Sequence, residues 1–399
     1  MASHVRRADA IWDMPQINPE ILLWARETAG LSLEDAAAAL QLGGARTPAP
    51  DALSALERGE KAPTRPQLLK MAKTYRRPLL VFYLPEPPKR ADRGEDFRTL
   101  PPEQRHEDAG ALDALVRDVH VRQQLVRTAL EEAEEAQVHP FVGSISLQTR
   151  VEDIVANVVN ALQFDLAVFR RQRTVEDAFG YLRDLIERTG VFVLLMGNLG
   201  SHHSDISADV FRGFALADDV APFMVVNDQD AKAAWSFTAL HELVHIWLGQ
   251  TGISGGVPEQ RAEKFCNDVA SRILLADDEL DALAPGGADL ADLAALIDQF
   301  ARSRHLSRPL VSYRLLQRRT ISHAQWVTLG TMFREAWLRE RALKPRGSPS
   351  YYTVRRHRLG SALLQFVKRT MDEGILTPTK AGQVLGVKPL NVATLLGAA

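Results

Sequence analysis

The chain has 399 residues, with 50 acidic and 48 basic side chains, a formal net charge of −2, and 46% hydrophobic residues. That balance excludes a disordered or fibrous protein and a uniformly basic nucleic-acid binder, and the length suits two or three domains with buried cores. A single cysteine, Cys266, excludes an internal disulfide and fits a reducing compartment. The opening MASHVRRADAIWDMPQINPE has no leader-like apolar run, and no stretch approaches the roughly 20 apolar residues that span a bilayer. The expectation is a cytoplasmic protein without a membrane partner.

Residues 18–84 read as short helices joined by tight turns. Pro19 opens PEILLWARETAG and Gly30 closes it. Ser32 caps SLEDAAAALQL, with Asp35 at the third helical position. DALSALERGE follows with Asp51 as its expected cap, and a further helix runs from Pro66 to about Tyr75. This is the grammar of a helix-turn-helix domain, assigned to residues 1–90. Residues 85–101 are rich in proline and charge and read as a linker. Residues 102–137 read as one charged helix with a solvated acidic end, so that 91–139 form a linker and helix.

Residues 140–285 are mixed. Helical patterns fill 145–188, and GVFVLLM (190–196), DVFRGFAL (209–216) and PFMVVN (222–227) read as strands. Helices are expected from about Ala231 to Leu248 and from about Glu259 to Leu275, separated by the loop GQTGISGGVP. Beyond the APGGAD turn, 286–399 form a helical, basic C-terminal domain. The fold class expected is mainly α with a small β-sheet.

The strongest chemical signal is His241-Glu242-Leu243-Val244-His245. Helical residues four apart share a face, so both imidazoles can reach one metal ion. The intervening glutamate is offset by about 100° and can act on water rather than on the metal. Ala233, Phe237, Leu240 and Val244 form an apolar stripe with the histidines at its border, so the histidines face the interior. Two histidines need a third protein ligand. Glu259, Glu263 and Asp268 are the candidates. Glu263 is preferred because it flanks the apolar face marked by Ala262, Cys266, Val269 and Ile273, whereas Glu259 lies at the helix start behind Pro258. Asn267, one turn on, is a candidate outer contact of the site. Cys266 reads as a small buried hydrophobe rather than a thiolate ligand. His202, His203 and Arg212 are candidate substrate contacts. An exposed loop for the two histidines and a structural ion pair for the arginine are the competing readings.

FTALHELVHIWLG (237–249), preceded by FRGFALADDVAPFMVVN and followed by EKFCNDVASRILL, resembles the ImmA/IrrE family of metallopeptidases. NPEILLWARETAGLSLEDAA, LERGEKAPTRPQLLKMA and YRRPLLVFYLPEPP resemble the XRE-type helix-turn-helix domain that many members carry. SYYTVRRHRLG and GILTPTKAGQVLGVKPLN resemble the tail of longer members. The resemblance implies a zincin-like α+β domain at 140–285. His241, His245 and Glu263 would hold zinc, with manganese as the other candidate ion, and Glu242 would be the catalytic acid/base. It also implies a regulatory endopeptidase that cleaves a cognate helix-turn-helix repressor in a stress or mobile-element response. The sequence departs from the more common pattern at Cys266, where alanine is usual.

The charge is unevenly spread. Residues 1–298 carry a net −16 and residues 299–369 a net +14. Arg314, Arg318, Arg319, Arg355, Arg356 and Arg358, with Tyr351, Tyr352, Trp326 and Trp337 nearby, are candidate nucleic-acid contacts. Docking of this lobe on the acidic remainder is the competing reading. The helix DALSALERGE begins acidic, which disfavours phosphate contact and leaves DNA and protein partners both open. The alternative to proteolysis is a DNA- or partner-binding regulator, antitoxin-like beside a toxin-like neighbour, with a structural or sensory metal. A homodimer is compatible with either.

Overall fold

The computed structural model describes residues 17–44, 47–75, 77, 79–84, 86–87, 107–200, 204–254, 260–281, 283, 289–343 and 350–397. Among these, residues up to Ala114 form one unit and residues from Leu115 onward a second.

The first unit holds α1 (Pro19–Glu27), α2 (Leu33–Leu40), α3 (Ala49–Glu57) and α4 (Arg65–Thr74). Local chemistry sets each start. Asn18 caps α1 ahead of Pro19, and Ser32 accepts from Asp35 N at 3.0 Å in α2. Thr64 and Gln67 form a reciprocal capping box on α4. In α3 the helix begins earlier than expected. Pro48 takes the cap position and Pro50 lies in the first turn, where its missing N–H costs nothing. Asp51 is therefore an acidic first-turn residue rather than the cap. Ile21, Leu22, Ala25, Leu40, Leu53, Leu68, Met71, Tyr75 and Phe82 make the core. Arg26 and Glu57 pair beside it at 2.7 Å.

The second unit begins within α5 (Glu107–Glu132) and continues through α6 (Val151–Leu162), α7 (Leu166–Arg170) and α8 (Val175–Arg188). Its sheet comprises β1 (Phe192–Leu195), β2 (Gly213–Leu216), β3 (Phe223–Val226) and β4 (Gly252–Ser254), ordered β1-β3-β2-β4. β1 runs parallel to β3, and β2 is antiparallel to both β3 and β4. The second strand is shorter than its sequence pattern predicts, because residues 209–212 lead into it outside the ladder. β4 lies in the glycine-rich stretch expected to be a loop.

Every residue of β1, β2 and β3 is buried, as continuous apolar runs require of a sheet covered on both faces. Val193, Leu195, Ala215, Met224 and Val226 join the main core with α8, α9 (Lys232–Trp247) and α10 (Gln260–Leu274). On the opposite face Phe192 stacks on Phe223 and meets Phe366. α9 is buried almost all round rather than along one stripe, because the sheet, α8 and α10 enclose it.

The C-terminal part is helical: α11 (Asp277–Asp281), α12 (Leu290–Ser303), α13 (Arg308–Gln317), α14 (His323–Leu343), α15 (Tyr351–Leu359), α16 (Ser361–Asp372), α17 (Pro378–Leu385) and α18 (Val392–Leu396). One buried ion pair ties it to α8. Arg183 pairs with Glu187 at 3.0 Å and donates to the carbonyls of Val193, His357 and Arg358. Glu187 in turn accepts from Ser361 Oγ and Ala362 N at the start of α16. The carboxylate thus serves a helix N-terminus and an arginine together.

Among the described residues, no helix is long and apolar enough to cross a membrane.

Candidate metal centre

α9 carries His241 and His245 on one face, one turn apart, and α10 crosses beside it with Glu263. The three side chains converge. The His241 and His245 Nε2 atoms lie 3.0 Å apart. Glu263 Oε2 is 3.1 Å from His241 Nε2, and Glu263 Oε1 is 3.2 Å from His245 Nε2. All three residues are nearly or fully buried. Among the described residues they form the one group of His, Cys, Asp and Glu side chains with ligand atoms close enough to share an ion.

The end of α9 orients His245. Gly249 adopts a left-handed φ of +70°, its N–H reaches Ile246 O at 2.9 Å, and Gln250 N reaches His245 O at 2.9 Å. This is a Schellman turn, and it folds Gln250 back over the last helical turn. Gln250 Oε1 consequently lies 3.3 Å from His245 Nδ1. An amide oxygen only accepts, so Nδ1 carries the proton and the Nε2 lone pair of a neutral ring faces His241 and Glu263.

Electrostatics agree with a cation site. Burial opposes a charge on His245, yet the Cys266 thiol and Glu263 carboxylate beside it hold the imidazole well above its usual range. Burial likewise opposes ionisation of Glu263, yet His241 and His245 keep its carboxyl well below the usual carboxylate range. Two imidazole nitrogens and a carboxylate aimed at one point are a donor set for a borderline ion such as zinc. A tetrahedral ion with bonds of roughly 2.0–2.1 Å holds its ligand atoms roughly 3.3 Å apart, close to the separations seen. The residues fit the ion.

Glu242 follows His241 and is fully buried. Cys266 is fully buried in the core and touches His245, and burial raises its thiol above the usual range. Its sulfur does not join the converging trio. Asn267 is half-buried one turn beyond Glu263. Asp268 is drawn away by Tyr313 Oη at 2.5 Å and by Lys264 at 3.6 Å. Arg212 is exposed at the mouth of β2, and its charge opposes the burial that pushes the Asp230 carboxyl up. His202, His203 and Glu259 lie outside the described residues.

Five of the six clustered arginines are bonded within the chain. Arg314 meets Asp277 at 2.6 Å, and Arg318 meets Asp281 at 2.7 Å. Arg355 donates to the carbonyls of Leu385 and Gly386, and Arg356 to those of Thr394 and Leu395. Arg358 pairs with Asp228 at 2.6 Å. Arg319 is exposed, with a left-handed φ of +58° just past α13.

Two structural supports of the site escape sequence reasoning. Gln250 is one; its signal is the Gly249 that stops the helix. Asn227 is the other. It is fully buried, and its Nδ2 donates to Ile206 O at 3.1 Å and Phe211 O at 2.9 Å. Its own N–H reaches Arg212 O at 2.8 Å, so it pins the segment that delivers β2.

No curated protein and no solved structure matches the chain. Residues 187–316, which contain the sheet and the converging trio, match the family model of peptidase M78, the IrrE N-terminal-like domain, and so constitute a metallopeptidase-like domain.

Proposed function

We propose that the chain is a zinc-dependent regulatory endopeptidase whose centre consists of His241, His245 and Glu263 as ligands and Glu242 as acid/base. Manganese is the other candidate ion. The observation that carries this reading is the convergence of two Nε2 atoms and both Glu263 oxygens within 3.0 to 3.2 Å. The match of 187–316 to a peptidase family supports it independently.

When bound, the ion supplies Lewis acidity, which brings the pKa of water towards about 7 and polarises a peptide carbonyl. Gln250 holds the His245 tautomer. The Glu242 carboxylate accepts the proton of the attacking water and returns it to the leaving amine nitrogen. The enclosing sheet, α8 and α10 keep bulk water from this carboxylate.

The substrate class we assign is a cognate helix-turn-helix repressor, met by the four short helices of the first unit acting as a recognition module of the same type. Co-expression with the products of adjacent genes tests this. The wild-type chain should make one specific cut in such a repressor, and Glu242→Gln should not. An identical cut by both proteins, or none by either, contradicts the reading.

A further inference from the structure

Gly213 occupies a place in β2 that does not need glycine for its backbone. Its φ lies outside the left-handed region, and it pairs regularly with Val226 on β3 and Ser254 on β4. An extended strand interior ordinarily disfavours glycine, which has no side chain to bury and more entropy to lose. The reason for it is space. A Cβ at this position would lie 2.6 Å from Glu242 Oε1, 2.7 Å from Thr238 Cγ2 and 2.9 Å from Val225 O. Thr238 and Glu242 are one turn apart on α9 and both are buried, so the face of α9 that carries Glu242 rests on this point of the strand.

We infer that Gly213 is a positioning residue: the missing side chain reserves the seat of the Glu242 carboxylate and so sets where that carboxylate stands relative to the histidines. The catalytic meaning of the seat rests on the proposed role of Glu242; the seat itself does not. Asn227 fixes its height, because it ties Phe211 O and Arg212 O, the two carbonyls preceding Gly213, to the end of β3. The glycine is thus matched to the face of α9 that carries Thr238 and Glu242, and not only to the strand ladder.

A thermal-melting cycle decides between those two roles without any substrate. Gly213→Ala, Glu242→Ala and the double variant are melted as the full-length chain in excess chelator. Gly213→Ala should lower Tm by about 2–5 °C, the size of an overpacking strain. In the Glu242→Ala background the same substitution should cost less than half as much, since the carboxylate it would meet is gone. An equal loss in both backgrounds overturns the inference and leaves the glycine to the Thr238 and Val225 contacts. If Gly213→Ala alone does not fold, recovery of a folded double variant supports the inference and failure of both overturns it.

With a cleavable repressor, Gly213→Ala should lower kcat about 100-fold at unchanged KM and zinc content, as expected for a misplacement of about 1 Å. Glu242→Gln should leave no residual effect for Gly213→Ala to remove. A wild-type chain that never cleaves contradicts the proposed function, while the melting cycle still decides the seat.

Discussion

Gln250 Oε1 lies 3.3 Å from His245 Nδ1 because a left-handed Gly249 turns the chain back on the end of α9. The contact commits one nitrogen of a ring whose other nitrogen faces Glu263 at 3.2 Å. Gln250→Ala should therefore weaken zinc binding by about 10- to 100-fold, the usual effect of losing an outer hydrogen bond to a metal-binding histidine. Competition with a calibrated chelator measures it. Gln250→Glu, which keeps an acceptor at the same reach, should restore most of the loss.

Glu242 and Glu263 should separate cleanly in function. Glu242→Gln should keep stoichiometric zinc and lose more than about 100-fold in turnover, in the range of a deleted general base. Glu263→Ala should lose the metal as well. Metal content by mass spectrometry alongside cleavage assays distinguishes the two, and loss of zinc from Glu242→Gln would show that this residue is a ligand.

Metal binding should strengthen as pH rises. His245 is held above its usual range in the metal-free chain, so it keeps, to higher pH than a free imidazole, a proton that the ion must displace. Below the raised folded pKa, apparent affinity should climb about tenfold per pH unit for each proton released, then level off above it. Calorimetry in buffers of different ionisation enthalpy counts the protons. Affinity that is flat from pH 6 upward, with no proton release, would mean that His245 is already neutral.

The Arg183–Glu187 pair should act as a clasp for the C-terminal helices. Its members are 6% and 8% exposed, and Glu187 also holds the start of α16, so Glu187→Ala strands a buried guanidinium. The expected cost is about 3–5 kcal/mol by denaturant unfolding. Cleavage by an added protease should appear first around Gly360, where α15 meets α16. Unfolding at an unchanged midpoint would make the pair dispensable.

The convergence of His241, His245 and Glu263 was legible in the sequence because helical spacing sets which side chains share a face. The apolar repeat of Ala262, Cys266, Val269 and Ile273 marks the inward side of α10 without reference to anything distant. What was not legible depends on partners far along the chain. Their i,i+4 spacing does not mark Arg183 and Glu187 as buried, and only the arrival of α15 and α16 buries them. The +14 lobe is plain in composition, but which carbonyls and carboxylates receive its arginines is a matter of tertiary folding. β4 hides in a glycine-rich loop because three residues at a sheet edge leave too short a pattern to detect.

X-ray absorption at the zinc edge of the loaded full-length protein tests the centre most directly. The geometry predicts two imidazole nitrogens and carboxylate oxygen at about 2.0–2.2 Å, with no sulfur in the shell. Sulfur scattering at about 2.3 Å would place Cys266 on the metal, and a shell without imidazole would remove His241 and His245 from it; either result contradicts the assignment of His241, His245 and Glu263 as the ligands.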